Sequence, residues 1–288
     1  MPLSCIHIHT VFCDGKDDIE TYCKKAHEKG FASIGFSAHA PIKNKTGIDS
    51  SWNMREGDLS LYLEEVREVK KKWADRLKIY LGLEVDFISG LMGPADRDYR
   101  EMDLDFIIGA VHYVFTPGGK AVTVDNSKEN VDRDIKEHFN GNVFSMLDIY
   151  YKTLKAMILA GGFDLLAHPD VVKKNNSNSR LFNEDSTEYR AMAAPIVQLT
   201  AKLGVPSEIN TGGMNRGRIT DCYPSPWLLE LFHKNGVPMV INSDAHKADE
   251  LDGHYEEAKN ALLSAGYKHS LVFNGRKEGR AVWEKEPL

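Results

Sequence analysis

A short pattern that occurs five times restricts the possible folds of this 288-residue chain more than any other feature. In each copy a helical segment ends, glycine follows, and an apolar run typical of a strand begins. The five copies are Glu28-Lys-Gly-Phe, Ala160-Gly-Gly-Phe, Lys202-Leu-Gly-Val, Lys234-Asn-Gly-Val and Ser264-Ala-Gly-Tyr. Glycine commonly ends a helix because it adopts the left-handed conformation without strain. Helices that alternate with strands in this way predict an α/β fold with a parallel sheet.

The number of helix–strand units favours a closed (β/α) barrel over an open sheet. The length of the chain also agrees with a single barrel, which is typically built from about 250 residues. No linker rich in proline, serine or glycine divides the chain, so we expect residues 1–288 to form a single domain. Strands are expected over residues 3–9, 32–37, 77–85, 105–111, 163–167, 205–209, 237–241 and 271–273. The polar stretch 116–142 lacks such a pattern, and we expect it to be an insertion that carries some helix.

The formal net charge of −6 gives the chain no attraction to nucleic acid or to an anionic membrane surface. We therefore expect neither as a partner, and an anionic substrate would need local cations or metal ions. The four cysteines form no C-x-x-C pair, the first residues lack the features of a signal peptide, and no window is apolar enough for a membrane span. These features predict a cytoplasmic protein with reduced thiols, and they leave the oligomeric state open.

Most of the predicted strands end in histidines or carboxylates, which are residue types that bind metal ions. They are His7 and His9, His39, Glu84, His112, His168, and the pair Asp244 and His246. In a (β/α) barrel the C-terminal ends of the strands form the active-site face, so we expect these side chains to converge there. His7 and His9 are two residues apart and leave the same face of a strand, an arrangement that suits Zn, Mn or Fe.

Structural roles remain open for individual residues of this set. Glu84 could be an ordinary buried salt-bridge partner, and His39 could orient a metal ligand rather than bind the metal itself. The other histidines lie in predicted helices, in loops or within a strand. We expect no chemical role for His27, His138, His233, His254 and His269.

Together these motifs resemble the polymerase-and-histidinol-phosphatase (PHP) superfamily. The resemblance covers residues 5–250 and rests on His7-Ile-His9-Thr10, the downstream Asp14, Phe36-Ser-Ala-His39, Gly82-Leu-Glu84, Gly109-Ala-Val-His112, His168-Pro169 and Asn242-Ser-Asp244-Ala-His246. Within the superfamily the chain looks like the histidinol-phosphate phosphatases. The motifs that indicate this branch are His9-Thr10-Val-Phe-Cys13, Ser37-Ala-His39-Ala-Pro41, Ile209-Asn-Thr-Gly-Gly-Met214 and Tyr223-Pro-Ser225.

The resemblance implies a distorted, seven-stranded, TIM-like (β/α) barrel that holds two or three divalent ions of Zn, Mn or Fe. By position, one ion would take His7, His9, Glu84 and Asp244, a second would take Glu84, His112 and His168, and a third would take Asp14, His39 and His246. The chain departs from the family pattern at Cys5, where many relatives have an aspartate that supports the first ligand. Asp14 is a second departure, because some relatives carry histidine near this position.

The resemblance also implies a metal-dependent phosphomonoesterase that converts L-histidinol phosphate into L-histidinol and phosphate in histidine biosynthesis. The expected nucleophile is a metal-bridging hydroxide, through which Glu84, Asp244 and His246 would act. The enzymatic alternative is a PHP phosphoesterase that acts on nucleotides or on nucleic-acid ends. A metal-storage or nucleic-acid-binding protein is the non-enzymatic alternative.

A phosphate group should also meet arginine side chains at the active face. Arg216 and Arg218 follow a predicted strand end, and Arg180 lies in the loop after His168. We favour Arg216, then Arg180, as phosphate contacts, although all three could be solvated surface charges. Glu208 lies near the end of its strand and is predicted to contact the substrate's ammonium group, or else to form a structural salt bridge.

Overall fold

The computed structural model describes residues 3–288. Its strands are β1 (Leu3–Cys5), β2 (Phe31–Phe36), β3 (Lys78–Asp86), β4 (Phe106–Ala110), β5 (Tyr113–Phe115), β6 (Ala121–Thr123), β7 (Leu165–Leu166), β8 (Ser207–Asn210), β9 (Met239–Asn242), β10 (His269–Lys277) and β11 (Arg280–Pro287). Its helices are α1 (Ile19–Glu28), α2 (Leu59–Lys72), α3 (Arg97–Glu101), α4 (Lys128–His138), α5 (Val143–Ala160), α6 (Thr187–Leu203), α7 (Gly212–Asn215), α8 (Pro226–Lys234) and α9 (Tyr255–Ala265).

The recurrent helix–glycine–strand pattern has its expected local structure. At the end of α6, the N–H of Gly204 donates to the carbonyl of Thr200, and Gly204 has a φ of +75°. At the start of α6 the side chain of Ser186 accepts a hydrogen bond from the N–H of Tyr189. These caps satisfy backbone groups that the helix itself leaves unpaired.

Within the described residues, nine strands form one sheet in the order β1-β2-β3-β4-β7-β8-β9-β10-β11, and β5 pairs with β6 separately. Neighbouring strands from β1 to β10 run parallel, and β11 runs antiparallel to β10. Beyond β1 and β9, Ile8 and Ala245 form a parallel bridge. This bridge joins the first and seventh strands of the order and favours the predicted seven-stranded barrel, whose complete closure stays a prediction.

A small apolar cluster lies inside the curve of the sheet and combines residues from strands that are far apart in its order. Ile6 follows β1, Val240 belongs to β9, and both belong to the cluster around Phe106. A Cβ atom on Gly82 would lie 2.4 Å from the Phe106 ring, so glycine is needed there for the ring to fit. This cluster fills the interior beneath the C-terminal strand ends, so the polar residues at those ends lie above an apolar base.

The structure differs from the sequence-based expectations in three segments. Residues 116–142 carry the helix α4, as expected, but also the strand β6, which was not predicted. The hairpin of β10 and β11 extends the last predicted strand, and the antiparallel β11 was not predicted. The first strand ends at Cys5 rather than at His9 because side chains replace the ladder partners: Ile6 N–H donates to Asn242 Oδ1 and Ile8 N–H donates to Ser37 Oγ.

None of the helices in residues 3–288 combines the length and the apolar character that crossing a membrane would require.

Candidate metal centre

The C-terminal strand ends bring together histidines and carboxylates that are distant in sequence. His7 and His9 follow β1, His39 follows β2, Glu84 lies in β3, His112 follows β4, His168 follows β7, and Asp244 and His246 follow β9. All except His246 are buried. Asp14, from the turn after β1, is half-buried beside them. The structure therefore brings all nine predicted metal ligands into one neighbourhood.

Glu84 lies at the centre of this group. Its two carboxylate oxygens approach ring nitrogens of five histidines, at 2.8 Å for His39, 3.1 Å for His168, 3.3 Å for His7, 3.5 Å for His9 and 3.7 Å for His112. One oxygen faces His112 and His168, and the other faces the remaining three rings. A carboxylate with its oxygens divided in this way is suited to bridge two cations. The structural alternative of an ordinary salt bridge does not explain five imidazoles around one acid.

Two further carboxylates, Asp244 and Asp14, lie close to His9 and its neighbours. Asp244 Oδ1 is 3.1 Å from His9 Nε2 and 3.6 Å from His246 Nδ1. Asp14 Oδ2 is 3.2 Å from His246 Nε2, and Asp14 Oδ1 is 3.8 Å from His39 Nε2. His9 is thus surrounded by possible ligands of more than one ion.

The donor set fits divalent metal ions. Five buried atoms of this cluster have no hydrogen-bond partner among the described residues, namely His7 Nε2, His9 Nε2, Asp14 Oδ1, His39 Nδ1 and Glu84 Oε2. Burying polar atoms without partners is costly, and all five point into the same cluster. Four groups of residues could each hold an ion, because the ligand atoms within each group lie within 4.8 Å of one another. The groups are His9-Asp14-His39-His246, His7-Glu84-His168, His7-His9-Asp244 and His39-Asp86-His112. Imidazole and carboxylate donors suit Zn, Mn and Fe.

The electrostatics of the cluster also favour cations. Burial, together with the neighbouring imidazoles, lowers the pKa of His9 to about 3, so this ring is neutral and free to act as a ligand. Burial opposes charge on His112 as well, but Asp86 and Glu84 outweigh it and raise the pKa of that ring to about 10. Burial would raise the pKa of Glu84, yet the surrounding histidines hold it well below its usual range. Metal ions would replace protons on such rings.

Two carboxylates orient ligand histidines by binding the nitrogen that faces away from the cluster. His7 Nδ1 lies 2.9 Å from Glu208 Oε2, and His112 Nδ1 lies 2.9 Å from Asp86 Oδ1. Both acids are buried. A carboxylate in this position fixes the tautomer and directs Nε2 towards the metal. Glu208 therefore supports His7, and Asp86 supports His112.

A cavity of about 280 Å³ opens over the cluster. Its walls include Arg216, Arg218 and Lys174 as cations and Asp125 as a carboxylate outside the metal cluster. Arg216 donates from Nη2 to Asp244 Oδ2 at 2.9 Å and from Nη1 to the Asp244 carbonyl at 3.0 Å. The cavity thus combines an anionic metal-binding floor with cationic walls.

The structure does not bring two of the predicted substrate contacts to this cavity. Arg180 does not line it and instead donates from Nη1 to both carboxylate oxygens of Asp132, at 2.7 and 2.9 Å. Glu208 is fully buried beneath the cluster, where Asn210 and Asn242 also donate to it. Its predicted contact with an ammonium group is replaced by the contact with His7. Arg216 and Arg218 do lie at the cavity, as expected.

Sequence reasoning missed several residues of the site. Asp86 could have been predicted, because it lies two residues after Glu84 and its side chain therefore projects from the same face of β3. Asn242 could also have been predicted, since it ends β9 within the motif that contains Asp244. Asp125 and Lys174 had no such signal. Asp125 lies in a turn and Lys174 in a short 3-10 helix, and the positions of both depend on tertiary contacts, including a 2.8 Å ion pair between them.

Similarity to known proteins covers most of the chain. Histidinol-phosphatase from Bacillus subtilis (strain 168) is 28% identical over 268 residues, which cover 87% of this chain and 96% of that protein. The structure of a candidate histidinol phosphatase from Listeria monocytogenes superposes with a TM-score of 0.76 and 24% identity, covering 88% of this chain and 98% of that one.

Histidinol phosphate phosphatase from Lactococcus lactis subsp. lactis Il1403, solved with zinc, L-histidinol and phosphate, gives a TM-score of 0.64 at 19% identity, covering 97% of this chain and 98% of that one. Both superpositions show that the α/β fold is shared. The family model of the PHP domain matches residues 6–212, well over half of the sequence. By this match, which contains seven of the nine clustered histidines and carboxylates, the chain belongs to the PHP domain family.

Proposed function

We propose that this protein is a metal-dependent phosphomonoesterase that hydrolyses L-histidinol phosphate to L-histidinol and phosphate. The observation that carries the proposal is the convergence of nine histidines and carboxylates, with Glu84 at their centre, beneath a cavity with cationic walls. Support for this substrate comes from a relative named histidinol-phosphatase that aligns along nearly its whole length. A further neighbour in structure binds zinc, L-histidinol and phosphate. Residues 1–288 would act as one domain.

The cluster would hold two or three ions of Zn, Mn or Fe. We assign His7, His9, Glu84 and Asp244 to one ion, Glu84, His112 and His168 to a second, and Asp14, His39 and His246 to a third. Divalent ions supply charge neutralisation for the phosphate and lower the pKa of a water molecule towards neutrality. The burial of Glu84 and His9 keeps bulk water away from this chemistry, which strengthens electrostatic interactions within the site.

The chain's own cations would complete phosphate binding. Arg216 is held by Asp244, so its guanidinium is fixed beside the cluster rather than free in solvent. A fixed guanidinium binds and orients an anionic group at a lower cost in side-chain entropy than a mobile one. Arg218 lies farther out and is exposed. The site therefore offers anchored positive charge at one edge and metal ligands at its floor.

Phosphate release from a panel of substrates tests the proposed function. We expect kcat/KM for L-histidinol phosphate to exceed that for nucleoside monophosphates and for 5′-phosphorylated DNA by ~100-fold or more, because a small cavity and a net charge of −6 disfavour nucleic acid. Activity should disappear after chelation and return with added Zn, Mn or Fe, which excludes a contaminating metal-independent phosphatase. Comparable or higher activity on nucleotides would instead support the nucleotide phosphoesterase alternative.

Replacing Arg216 with alanine should raise KM for L-histidinol phosphate about tenfold or more, since a charge-assisted hydrogen bond to phosphate would be lost. The inhibition constant of free phosphate should rise in parallel, because product and substrate share this contact. Arg180→Ala is the matched control, and we expect its KM to stay within about twofold of wild type because a solvated surface ion pair contributes little. If the two substitutions change KM and the inhibition constant of phosphate equally, Arg216 does not bind the phosphate group.

A further inference from the structure

We propose that Asp125 binds the ammonium group of the substrate and that the segment 121–127 forms the wall that selects the leaving group. This inference rests on the proposed function and assigns a role to part of the stretch 116–142, which the sequence left unexplained. Four carboxylates line the cavity, and three of them, Asp14, Glu84 and Asp244, belong to the metal cluster. Asp125 is the fourth, and it belongs to none of the groups of possible metal ligands.

The backbone holds Asp125 close to the reaction centre. The N–H of Val124 donates to the carbonyl of the ligand His112 at 2.9 Å, which fixes the preceding residue beside the cluster. On the other side, Asn175 Nδ2 donates to the carbonyl of Asn126 at 2.8 Å. Asp125 is therefore attached from both sides to segments that follow the ligands His112 and His168. Its carboxylate is positioned as part of the site rather than carried on a free loop.

The partner of Asp125 suggests which ligand it binds. Lys174 Nζ lies 2.8 Å from Asp125 Oδ2, and both side chains line the cavity while remaining partly exposed, at 21% and 16%. L-Histidinol phosphate carries its ammonium on the carbon next to the phosphate ester carbon, so it presents neighbouring charges of opposite sign. The substrate can therefore exchange partners with the protein pair: Lys174 contacts the phosphate while Asp125 contacts the ammonium. Such an exchange leaves neither side chain without a counter-charge.

There is also room for the rest of the leaving group beyond Asp125. A second cavity of about 480 Å³ adjoins the first and shares Trp52, Thr123 and Asn126 with it. Trp52 stacks on Tyr113 with ring centroids 5.2 Å apart, which forms a rigid aromatic wall. The imidazole ring, joined to the ammonium-bearing carbon through one methylene group, would extend towards this wall, where aromatic packing is favourable.

The competing interpretation is that the Asp125–Lys174 pair only ties two loops together. An analogue that lacks the amino group, 3-(imidazol-4-yl)propyl phosphate, distinguishes this structural role from the proposed binding of the ammonium group. We expect wild-type kcat/KM to favour L-histidinol phosphate over this analogue by ~10- to 100-fold. In Asp125→Asn the preference should fall to within about threefold. Lys174→Met breaks the same ion pair and should lower kcat/KM for both substrates by a similar factor. The preference for L-histidinol phosphate over the analogue should therefore persist.

A second control, Asp132→Asn, removes a surface ion pair close in sequence and should leave both rates within about twofold. If Asp125→Asn lowers the two rates equally, or if the wild type shows no preference for the amine, Asp125 does not bind the ammonium. If the wild type hydrolyses L-histidinol phosphate no better than other esters, the proposed function fails instead. Ammonium recognition is then still measurable, with phosphoethanolamine and ethyl phosphate as the substrate pair and the same loss expected in Asp125→Asn.

Discussion

Replacing His9 with alanine is expected to lower kcat/KM by ~1000-fold or more, equivalent to about 4 kcal/mol of transition-state stabilisation. His9 Nε2 lies 3.1 Å from Asp244 and 3.5 Å from Glu84, and it has no hydrogen-bond partner. The ring also belongs to two of the four possible ligand groups. Its loss would thus disturb more than one ion. Steady-state kinetics and metal content by mass spectrometry of the purified variant test this directly.

The same substitution should leave the fold largely intact. The His9 ring is neutral, so its removal leaves no additional uncompensated charge, and His9 is not part of the apolar core below the cluster. We expect circular dichroism of the metal-free variant and the metal-free wild type to coincide. His269→Ala is the matched control, since this histidine is exposed at the start of β10. A His9→Ala protein with full metal content and near-normal turnover would contradict the proposed centre.

The convergence of the predicted ligands could be expected from sequence, because the strand ends of a parallel α/β fold meet on one face. His7, His39 and His168 are far apart along the chain, yet each follows an apolar run. The strand pattern gives the position of each run, and the fold class gives the face on which the runs end. No knowledge of side-chain contacts is needed for this step. The same reasoning fails wherever a residue's environment depends on which strands are neighbours.

Glu208 shows where the sequence-based prediction stops. Its place near the end of β8 was correct, but its neighbours were not deducible, because they come from β1 through His7 and from β9 through Asn242. Asp125 is a second example, since its position depends on pairing with a loop that follows β7. Local pattern shows that a residue is polar and near an end. Only the packed sheet shows whether it faces the cavity or supports a ligand from below.

Glu208→Gln is expected to reduce metal affinity and kcat/KM by ~10- to 100-fold, the usual consequence of changing the partner of a ligand histidine. Glu208 accepts hydrogen bonds from His7 Nδ1, the N–H of His168, Asn210 and Asn242. Because all these neighbours donate, the amide group of glutamine would face another donor whichever way it is turned. One buried group would lose its partner, which also costs about 1–3 kcal/mol of stability.

The pattern of this loss distinguishes support of His7 from contact with the substrate. If Glu208 positions His7, activity of Glu208→Gln should recover partly at high metal concentration, and turnover of 3-(imidazol-4-yl)propyl phosphate should fall as far as that of L-histidinol phosphate. A carboxylate that contacted the ammonium would give the opposite result, with normal metal content and a defect confined to the substrate that carries the amine. Glu230→Gln, at an exposed helix position, controls for the substitution itself. Glu208 is fully buried beneath the cluster, whereas Asp125 lines the cavity. We therefore expect Glu208→Gln to reduce metal affinity and the turnover of both substrates, and Asp125→Asn to reduce only the preference for the substrate that carries the amine.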